Sequence, residues 1–371
     1  MYIIGACLTI CLIGYLVMVG IATSAFRALT TEQEDQFPLI SVLIASRNEE
    51  DNLLALLTSL QHQSYPKDGY EVLIIDDHSE DSSEQLVRRW LDEHPSSNVR
   101  YIPTQGHGKK SAITTGLGQA VGDWILQTDA DCLPPVGWIQ GMAQGMTEDM
   151  HFLSGPVRLR EGTSWLTKLQ ALEVAGLVSL GAGSMAAGFP NMANGANMAY
   201  RRQTFLEIGG FESAKHVASG DDEFLVQAIS AKYSRGLNFV KRQDVIIETD
   251  AAPDWKSFRN QRIRWVSKAR FYTNKMTNGL QMMSWLGFLA FPFWALMGVW
   301  YPQAWLFGGG LFLLKVLVDR WLMISGTVFL HRRRWMKWFL LLELVYIPYV
   351  IWIGVRGNFP SAYSWKGRLT R

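Results

Sequence analysis

The chain of 371 residues is long enough for a complete catalytic domain with additional elements, and its formal net charge is only +2. It contains no sustained basic stripe with interleaved aromatic residues, so its composition gives no support for a nucleic-acid-binding protein. The three cysteines, Cys7, Cys11 and Cys132, are too few for a disulfide framework and lack the Cys and His partners of a zinc site.

The first element is an apolar segment that is long enough to cross a bilayer. Residues Tyr2–Ala22 carry no charge, and no basic residue precedes them, which argues against a cleaved signal peptide. Arg27 is the first charge after the segment, and basic residues favour the cytoplasmic side. We therefore predict a transmembrane helix within residues 1–24, followed by a cytoplasmic domain. The expected location is a bacterial inner membrane.

Strands and helices then alternate through the first part of a soluble domain that we place at residues 37–256. The predicted strands are Ile40–Ala45, Val72–Ile75, Val99–Ile102 and Trp124–Gln127, and the predicted helices are Glu49–His62, Ser82–His94 and Lys109–Val121. This alternation predicts an α/β fold with a doubly wound, mostly parallel sheet. No Rossmann-type or Walker-type glycine-rich loop follows the first strand, so a bound nucleotide would need another kind of phosphate site.

Membrane-associated segments are predicted after the soluble domain. Residues 257–276 are expected to form an amphipathic helix at the membrane surface, and residues 284–355 a membrane region with spans at Ser284–Trp300 and Ala304–Ile324. The second span contains three charges, Lys315, Asp319 and Arg320. Because charges inside a bilayer are costly, we expect them to pair or to face a polar cavity.

The last apolar segment, Trp338–Val355, contains Glu343 and Pro348. A further full span would carry the basic tail of residues 356–371 to the outside, against the preference of basic residues for the cytoplasm. We therefore expect a re-entrant or interfacial segment that bends at these two residues. The alternative is a full span with an external tail.

Three acidic clusters dominate the soluble domain: Asp76-Asp77, Asp129-Ala130-Asp131 and Asp221-Asp222-Glu223. The first two directly follow predicted buried strands, and the carboxyl ends of strands in such sheets are where ligands bind. Several carboxylates in one cleft repel each other unless a cation is present. A divalent metal that carries a diphosphate would satisfy this requirement.

The order of these motifs resembles glycosyltransferase family 2, whose nucleotide-sugar-binding fold is called GT-A. Residues 42–50, VLIASRNEE, are similar to the opening strand and Asn-Glu-Glu turn of the family, which implies that Asn48 and Glu49 contact the nucleoside. Residues 73–79, LIIDDHS, look like its Asp-Asp-x-Ser strand end. The resemblance implies that Asp77 accepts a hydrogen bond from uracil N3–H.

The resemblance extends to the phosphate and metal sites. Gly108-Lys109-Lys110 is similar to the family's Gly-Lys segment, which implies that Lys109 approaches the diphosphate, with Lys110 as the alternative. Asp129-Ala130-Asp131 matches the Asp-x-Asp signature. This implies that Asp131 ligates Mg²⁺ or Mn²⁺ and that Asp129 supports the ribose or the metal, so that the charge on the departing UDP is neutralised.

The third acidic cluster resembles the part of the family that carries the general base. We place the base at Asp222, which would take the proton of an acceptor hydroxyl, with Asp221 and Glu223 as competing assignments. Acidic residues in a first helical turn also complement the helix dipole, which is the simpler explanation. Residues 194–201 resemble the preceding loop and strand, which implies that Asn197, together with Asp221, shapes the acceptor pocket.

Gln261, Arg264 and Trp265 match the Gln-x-x-Arg-Trp motif of the family. The match implies that Arg264 holds the diphosphate through its planar donor fork, and that Trp265 and Gln261 border the acceptor. A simpler interpretation is that the basic residues of this segment bind lipid headgroups; they are Arg259, Arg262, Arg264, Lys268 and Arg270.

The ending Ser364-Trp365-Lys366-Gly367-Arg368 resembles that of lipid glycosyltransferases such as ceramide glucosyltransferase, with a spacing one residue shorter, and implies that Trp365 lies near the acceptor. The resemblance as a whole implies an inverting enzyme that moves a sugar from a UDP-sugar to a membrane lipid at the cytoplasmic face, with no obligatory protein partner. The alternatives are a processive polysaccharide synthase and a non-catalytic membrane adaptor.

Overall fold

A computed structural model describes residues 1–30, 37–214, 217, 220–272, 274–358, 363–365 and 368–370. Its strands, in chain order, are β1 (Ile40–Ser46), β2 (Tyr70–Asp76), β3 (Val99–Pro103), β4 (Trp124–Asp129), β5 (Phe152–Ser154), β6 (Val157–Leu159), β7 (Met198–Arg201), β8 (Leu237–Phe239) and β9 (Ile247–Thr249), then β10 (Tyr363–Trp365) and β11 (Arg368–Thr370). Its helices are α1 (Tyr2–Ala28), α2 (Leu53–Gln61), α3 (Ser83–Glu93), α4 (Lys109–Gln119), α5 (Trp138–Ala143), α6 (Trp165–Ala186), α7 (Arg202–Glu207), α8 (Asp221–Lys232), α9 (Trp255–Ser267), α10 (Lys275–Met297), α11 (Gln303–Phe329) and α12 (Phe339–Asn358). Short 3₁₀ turns lie at Lys67–Gly69, Glu212–Ala214, Ala269–Phe271 and Arg333–Trp338.

The centre of the soluble domain is a seven-stranded sheet with the order β3-β2-β1-β4-β7-β5-β8. Strands β1 to β4 are parallel, while β7 runs antiparallel to both of its neighbours, β4 and β5. The predicted α/β fold with a mostly parallel first half is therefore confirmed. Strands β6 and β9 form a separate parallel pair.

The central strands are apolar on both faces because helices cover both sides of the sheet. Along β1, Val42 and Ile44 belong to a core cluster that includes α2, whereas Leu43 points into the opposite cluster with α4 and α8. The strand register places Ser46 beside Asp76 and Ala45 beside Asp129. The first two acidic motifs consequently meet at the same edge of the sheet.

Helix α6 is an element that the sequence did not lead us to predict. It is apolar on nearly all sides and is capped at its N-terminus by Ser164, whose side chain accepts a hydrogen bond from the Thr167 amide. It packs along α1 and α11. The contact with α1 is so close that a Cβ atom on Gly183 would lie 2.0 Å from the carbonyl oxygen of Ala22, so only glycine fits there.

Within the described residues, four helical segments are long and apolar enough to cross a membrane: Tyr2–Ala28, Trp165–Ala186, Lys275–Met297 and Arg333–Gly357. Helix α11 has 27 residues and packs against α1 and α10, but it carries the three charges noted above. The amphipathic helix predicted at residues 257–276 is α9, which begins two residues earlier and ends at Ser267. These apolar helices give the protein its membrane association.

The last apolar segment forms one helix, and its re-entrant or interfacial placement stays a prediction. Helix α12 continues through Pro348, and Glu343 is buried in its interior-facing side. The Lys315 ammonium forms ion pairs with Glu343 and with Asp319, the second at 2.7 Å, and the Tyr15 hydroxyl donates to Asp319 at 3.0 Å. The pairing expected for Lys315 and Asp319 is therefore confirmed. Glu343 is a further partner in this buried group.

Candidate active site

A cavity of about 410 Å³ lies between the carboxyl edge of the sheet and helices α6, α8 and α9. Eight carboxylates line it among the described residues: Glu49, Asp77, Asp129, Asp131, Asp221, Asp222, Glu223 and Asp250. The basic lining residues are five: Arg47, Lys109, Arg262, Arg264 and Lys268. One wall is apolar and comes largely from α6, through Val174, Leu177, Val178 and Ala182. The cavity therefore combines an excess of negative charge with a surface suited to hydrocarbon.

Arg47 holds together the loops that follow β1 and β2. Its Nη1 donates to the carbonyl oxygens of Asp77 at 2.8 Å and His78 at 2.7 Å, and its Nη2 pairs with Glu80 at 2.9 Å. The Asn48 side chain accepts from the Glu80 amide at 2.8 Å. Asn48 is exposed, does not line the cavity and braces this loop, and its contact with the nucleoside stays a prediction.

Asp77 is buried and fixes the start of α4. Its Oδ2 accepts a hydrogen bond from the Gly108 amide at 3.0 Å. Gly108 has φ +89°, a left-handed conformation that favours glycine, and it directly precedes α4. The turn sets the direction in which the first side chains of α4 point, and this decides between the two adjacent lysines.

Lys109 lines the cavity, and Lys110 does not. The Lys109 ammonium lies 2.7 Å from Asp129 Oδ1 and 3.0 Å from Asp221 Oδ2. Burial alone would lower the pKa of Lys109, but the charges of Asp129 and Asp221 outweigh it and hold the pKa above its usual value. The Lys110 ammonium instead donates to the carbonyls of Ala214 and Val217, both at 2.9 Å, and burial lowers its pKa to about 8.

Asp129 and Asp131 lie close enough together to share one cation. A carboxylate oxygen from each and the Cys132 sulfur lie within 4.8 Å of one another. Oxygen ligands about 2.0–2.6 Å from a common ion can have such a separation. Burial raises the pKa of the Cys132 thiol well above its ordinary value, so the charged donors in this group are the two carboxylates. The donor set fits a hard divalent ion such as Mg²⁺ or Mn²⁺.

The three acids at the start of α8 have different surroundings. Asp221 is buried against Lys109 and accepts from Gln127 Nε2 at 2.9 Å; burial would raise its pKa, but Lys109 outweighs burial and the pKa is lowered. Glu223 pairs with Lys268 at 2.7 Å and accepts from the Tyr272 hydroxyl, and burial nevertheless raises its pKa.

Asp222 has a longer ion pair than either neighbour. Its Oδ1 lies 3.6 Å from the Lys268 ammonium and accepts from the Glu223 amide at 2.8 Å, and its Oδ2 accepts from the Gly195 amide at 3.1 Å. Asp221 and Glu223 each have an ion pair of 3.0 Å or shorter. Among the three acids, Asp222 therefore has a carboxylate in the cavity without a close ion pair, which suits a proton acceptor.

Two basic residues of the motif helix α9, Arg262 and Arg264, line the cavity, and Arg262 is buried. Arg262 pairs with Glu173 of α6 at 2.6 Å and lies over the rings of Trp265 and Phe258, at 4.1 and 4.5 Å. Glu173 also accepts from the Tyr349 hydroxyl of α12 at 3.1 Å. Arg262 thus connects the motif helix to α6 and α12, and it also donates to Gln261.

Arg264 and Trp265 both line the cavity, as does Gln261. Among the described residues, Arg264 has no ion pair or side-chain hydrogen bond, so its guanidinium is available to an anion. The headgroup interpretation does not fit Arg262 or Lys268, because both are buried and paired. It remains compatible with Arg259 and Arg270, which are exposed.

Sequence reasoning did not identify Glu173 and Lys268 as site residues. Glu173 is an acid inside a long apolar segment, and such a charge is a recognisable signal for a partner elsewhere. Lys268 was visible only as one of several basic residues after the motif. Both contribute by holding a charged neighbour in place.

Two predicted acceptor residues, Asn197 and Trp365, are not among the residues that line the cavity in the described part of the chain. Asn197 is fully buried outside the lining: its amide donates to the carbonyls of Pro156 and Val245, both at 2.9 Å, and accepts from Trp138 Nε1 at 2.9 Å. These hydrogen bonds fix the loop before β7, whose residues Asn194, Gly195 and Ala196 line the cavity, and the role of Asn197 in shaping the acceptor pocket stays a prediction. The side chain of Trp365 lies outside the described residues.

The buried pair on α9 gives a prediction about stability. Changing Arg262 to methionine leaves Glu173 buried without its cation, and breaking such a pair costs about 3–5 kcal/mol. We expect a clear fall in the melting temperature of the detergent-solubilised protein. Arg259→Met, on the exposed side of the same helix, is the matched control and should change little. Equal melting temperatures for the two variants would contradict the assigned role.

Comparison with known proteins agrees with this geometry. Residues 41–208 match the family described as Glycosyl transferase family 2. The "Probable glycosyltransferase YdaM" of Bacillus subtilis is 26% identical over 241 residues, which cover 63% of this chain and 56% of that protein. The "Undecaprenyl-phosphate 4-deoxy-4-formamido-L-arabinose transferase" of Aeromonas hydrophila is 31% identical over 131 residues, or 35% of this chain and 40% of that protein. The matches thus span about half the length of these relatives.

A solved structure, "Mannosyltransferase PcManGT from Pyrobaculum calidifontis in complex with GDP-Man and Mn2+", is similar in fold, with a TM-score of 0.61, 19% sequence identity, and coverage of 95% of this chain and 98% of that one. The GT-A-like sheet is thereby confirmed. The matched segment, residues 41–208, contains β1 to β4 with the first two acidic motifs, and the remaining acidic motif completes the same cavity. On these grounds residues 41–208 are similar to glycosyltransferase family 2, and the fold of the chain agrees with that similarity.

Proposed function

We propose that this protein transfers a sugar from a UDP-sugar to a membrane lipid, with inversion at the anomeric carbon. The observation that carries the proposal is the single cavity in which three acidic motifs, Lys109 and Arg264 meet an apolar wall from α6. The polar end suits a nucleotide diphosphate with a divalent ion, and the apolar wall suits a lipid. The relatives named for an undecaprenyl-phosphate acceptor and for a complex with GDP-Man and Mn2+ support a lipid acceptor, a nucleotide-sugar donor and a divalent metal.

In this proposal the donor lies along the carboxyl edge of the sheet. Asp77 and Glu49 border the base, and Lys109 and Arg264 are positioned for the diphosphate. A divalent ion held by Asp131 and Asp129 would neutralise charge on the leaving diphosphate. A carboxylate also accepts from the N1–H of guanine, so the choice of UDP has to be tested against GDP.

Asp222 is the proposed base. Its carboxylate takes the proton of the acceptor hydroxyl while the hydroxyl oxygen forms a bond to the anomeric carbon. The bond from that carbon to the β-phosphate oxygen breaks, and its electron pair leaves with the nucleotide. One displacement inverts the configuration. Trp265 and Gln261 border the acceptor end of the cavity.

The topology belongs to the proposal as well. We place the catalytic domain, residues 37–256, in the cytoplasm, which contains the nucleotide sugars. The basic segment at Arg332–Lys337, with Arg332, Arg333, Arg334 and Lys337, would lie on the same side. Cysteine labelling of the variants Arg259→Cys and Trp300→Cys in sealed right-side-out vesicles tests this topology. A thiol reagent added outside the vesicles should leave the introduced thiol of Arg259→Cys unlabelled and should label that of Trp300→Cys.

Nucleotide release by the purified protein is the direct test of function. The protein in detergent is given Mn²⁺ or Mg²⁺ with a panel of UDP-sugars and GDP-sugars, with and without extracted membrane lipids, and the products are analysed by mass spectrometry. One sugar on one lipid is the expected product. A ladder of sugars would identify a processive synthase instead. Absence of metal-dependent binding of any nucleotide would refute the proposal.

A further inference from the structure

Two of the seven histidines come together beside Asp77, which lines the cavity. His78 directly follows Asp77 after β2, and His107 precedes Gly108 and helix α4. The two imidazole ring centroids lie 4.4 Å apart, and His78 Nδ1 lies 3.4 Å from Asp77 Oδ1. One potential ligand atom from each of the three residues lies within 4.8 Å of the other two. The proposed transfer reaction uses neither histidine.

The separation between His78 and Asp77 is that of two ligands on one small transition-metal ion. Zn²⁺ binds imidazole nitrogen at about 2.0–2.1 Å and carboxylate oxygen at about 2.0–2.2 Å, so two such ligands at a tetrahedral angle are about 3.3–3.6 Å apart. The observed 3.4 Å falls in this range and is long for a hydrogen bond, which usually measures about 2.7–3.2 Å. His107 is exposed, and a small rotation of its side chain brings its nitrogen to the same ion.

The loops hold the main chain of both histidines in place. His78 has φ +57°, a left-handed conformation that is uncommon for residues other than glycine. Its carbonyl accepts from Arg47 Nη1 at 2.7 Å, and this contact stabilises the conformation. The Gly108 amide donates to Asp77 Oδ2 at 3.0 Å and so fixes the preceding residue, His107, near Asp77. A metal ion would therefore meet ligands that are already held together.

The chemistry of these donors differs from that of the Asp-x-Asp motif. Among the described residues, two groups of three potential ligands are close enough to share an ion, and the other group is Asp129, Asp131 and Cys132. Imidazole nitrogen favours Zn²⁺, Ni²⁺ or Cu²⁺, whereas carboxylate oxygen favours Mg²⁺ or Mn²⁺. Three protein ligands leave the fourth position of a tetrahedral zinc ion to water. The two groups are thus suited to different ions.

We propose that His78, His107 and Asp77 form a second metal site, which binds Zn²⁺ or an ion of similar chemistry. Asp77 gives this site a consequence for the enzyme, because it borders the base in the proposed donor site. An ion on Asp77 Oδ1 competes for the carboxylate that accepts a hydrogen bond from the base, so Zn²⁺ should weaken nucleotide binding. This consequence rests on the proposed function, whereas the metal site itself does not.

Metal titration tests the site without an assay of activity. The full-length protein in detergent, without a histidine tag and with Asp131→Ala to remove the other group, is titrated with Co²⁺, followed by visible absorption, and then with Zn²⁺ as a competitor. We expect one bound Co²⁺ that Zn²⁺ displaces. His78→Asn and His107→Asn should each lower the Zn²⁺ affinity by about tenfold or more. Asparagine is chosen because it tolerates the left-handed conformation of His78.

The matched control is His62→Asn, at the exposed histidine that ends α2, and it should keep the Zn²⁺ affinity of the unchanged protein. Equal Zn²⁺ affinity in all three histidine variants would overturn the proposed site. Absence of Co²⁺ and Zn²⁺ binding would overturn it as well, and the two rings would then simply stack on each other.

A second titration measures the effect on the donor site, now with Asp131 intact. Binding of UDP and of GDP in excess Mg²⁺ is measured by calorimetry with and without Zn²⁺. Zn²⁺ should weaken the binding by about tenfold, the effect of one lost hydrogen bond to a charged group. His107→Asn should remove this effect and leave binding in Mg²⁺ alone unchanged. Zn²⁺ that binds without weakening nucleotide binding would overturn the competition at Asp77. Absence of nucleotide binding in every sample would refute the proposed function, and the Co²⁺ titration would still decide the metal site.

Discussion

Replacing Asp222 by asparagine should abolish sugar transfer while the protein still binds metal and nucleotide. A positioned general base contributes about 10²–10⁴-fold to a reaction rate, and the amide cannot accept the proton at neutral pH. The change keeps the size of the side chain and the oxygen that accepts from the Gly195 amide at 3.1 Å. Nucleotide release with a saturating acceptor gives the rate, and calorimetric titration with UDP and Mn²⁺ gives the binding.

Three further variants make this result specific. Asp92→Asn, on the exposed surface of α3, should behave like the unchanged protein. Asp221→Asn should weaken the Lys109 contact, and Glu223→Gln the Lys268 contact, so both should affect binding or stability more than the rate alone. Normal turnover in Asp222→Asn, with loss in one of these two, would move the base to that residue.

Replacing Asp131 by alanine should remove metal-dependent donor binding. With Asp129 already 2.7 Å from Lys109, the loss of Asp131 leaves too little negative charge for a hard divalent ion. Loss of a residue that only hydrogen-bonds a metal ligand can lower the metal affinity about 10–100-fold. Asp131 is a proposed ligand itself, so its loss should lower the metal affinity by about 100-fold or more. Titration with UDP in Mn²⁺ and in EDTA measures the difference, which should disappear in the variant.

The neighbouring cysteine supplies the control for this variant. Cys132 lies in the same group of potential ligands, but its sulfur is a soft donor, and Mg²⁺ and Mn²⁺ prefer oxygen ligands. Cys132→Ala should therefore retain metal-dependent binding. If it loses binding as Asp131→Ala does, the thiol takes part in the metal site and the assignment to carboxylates alone is wrong.

The sequence by itself predicted the sheet and the meeting of its acidic motifs. Four apolar strands separated by helices imply parallel strands, and parallel strands place their carboxyl ends at one edge, so Asp77 and Asp129 had to lie near each other. The charges inside the predicted span also implied a partner, and Lys315 pairs with Asp319. These conclusions depend on local patterns and on rules of connection that need no knowledge of the packing.

Only the tertiary structure decided which of several similar side chains face the cavity. Lys109 and Lys110 are adjacent, and neighbouring residues of a helix point about 100° apart, so the seating of α4 on the sheet determines which one meets the carboxylates. Glu173 and Arg262 are 89 residues apart, and no local pattern specifies their pairing. The continuous α12 and the burial of Asn197 have the same origin, because packing between distant elements supplies the partners that a sequence pattern cannot show.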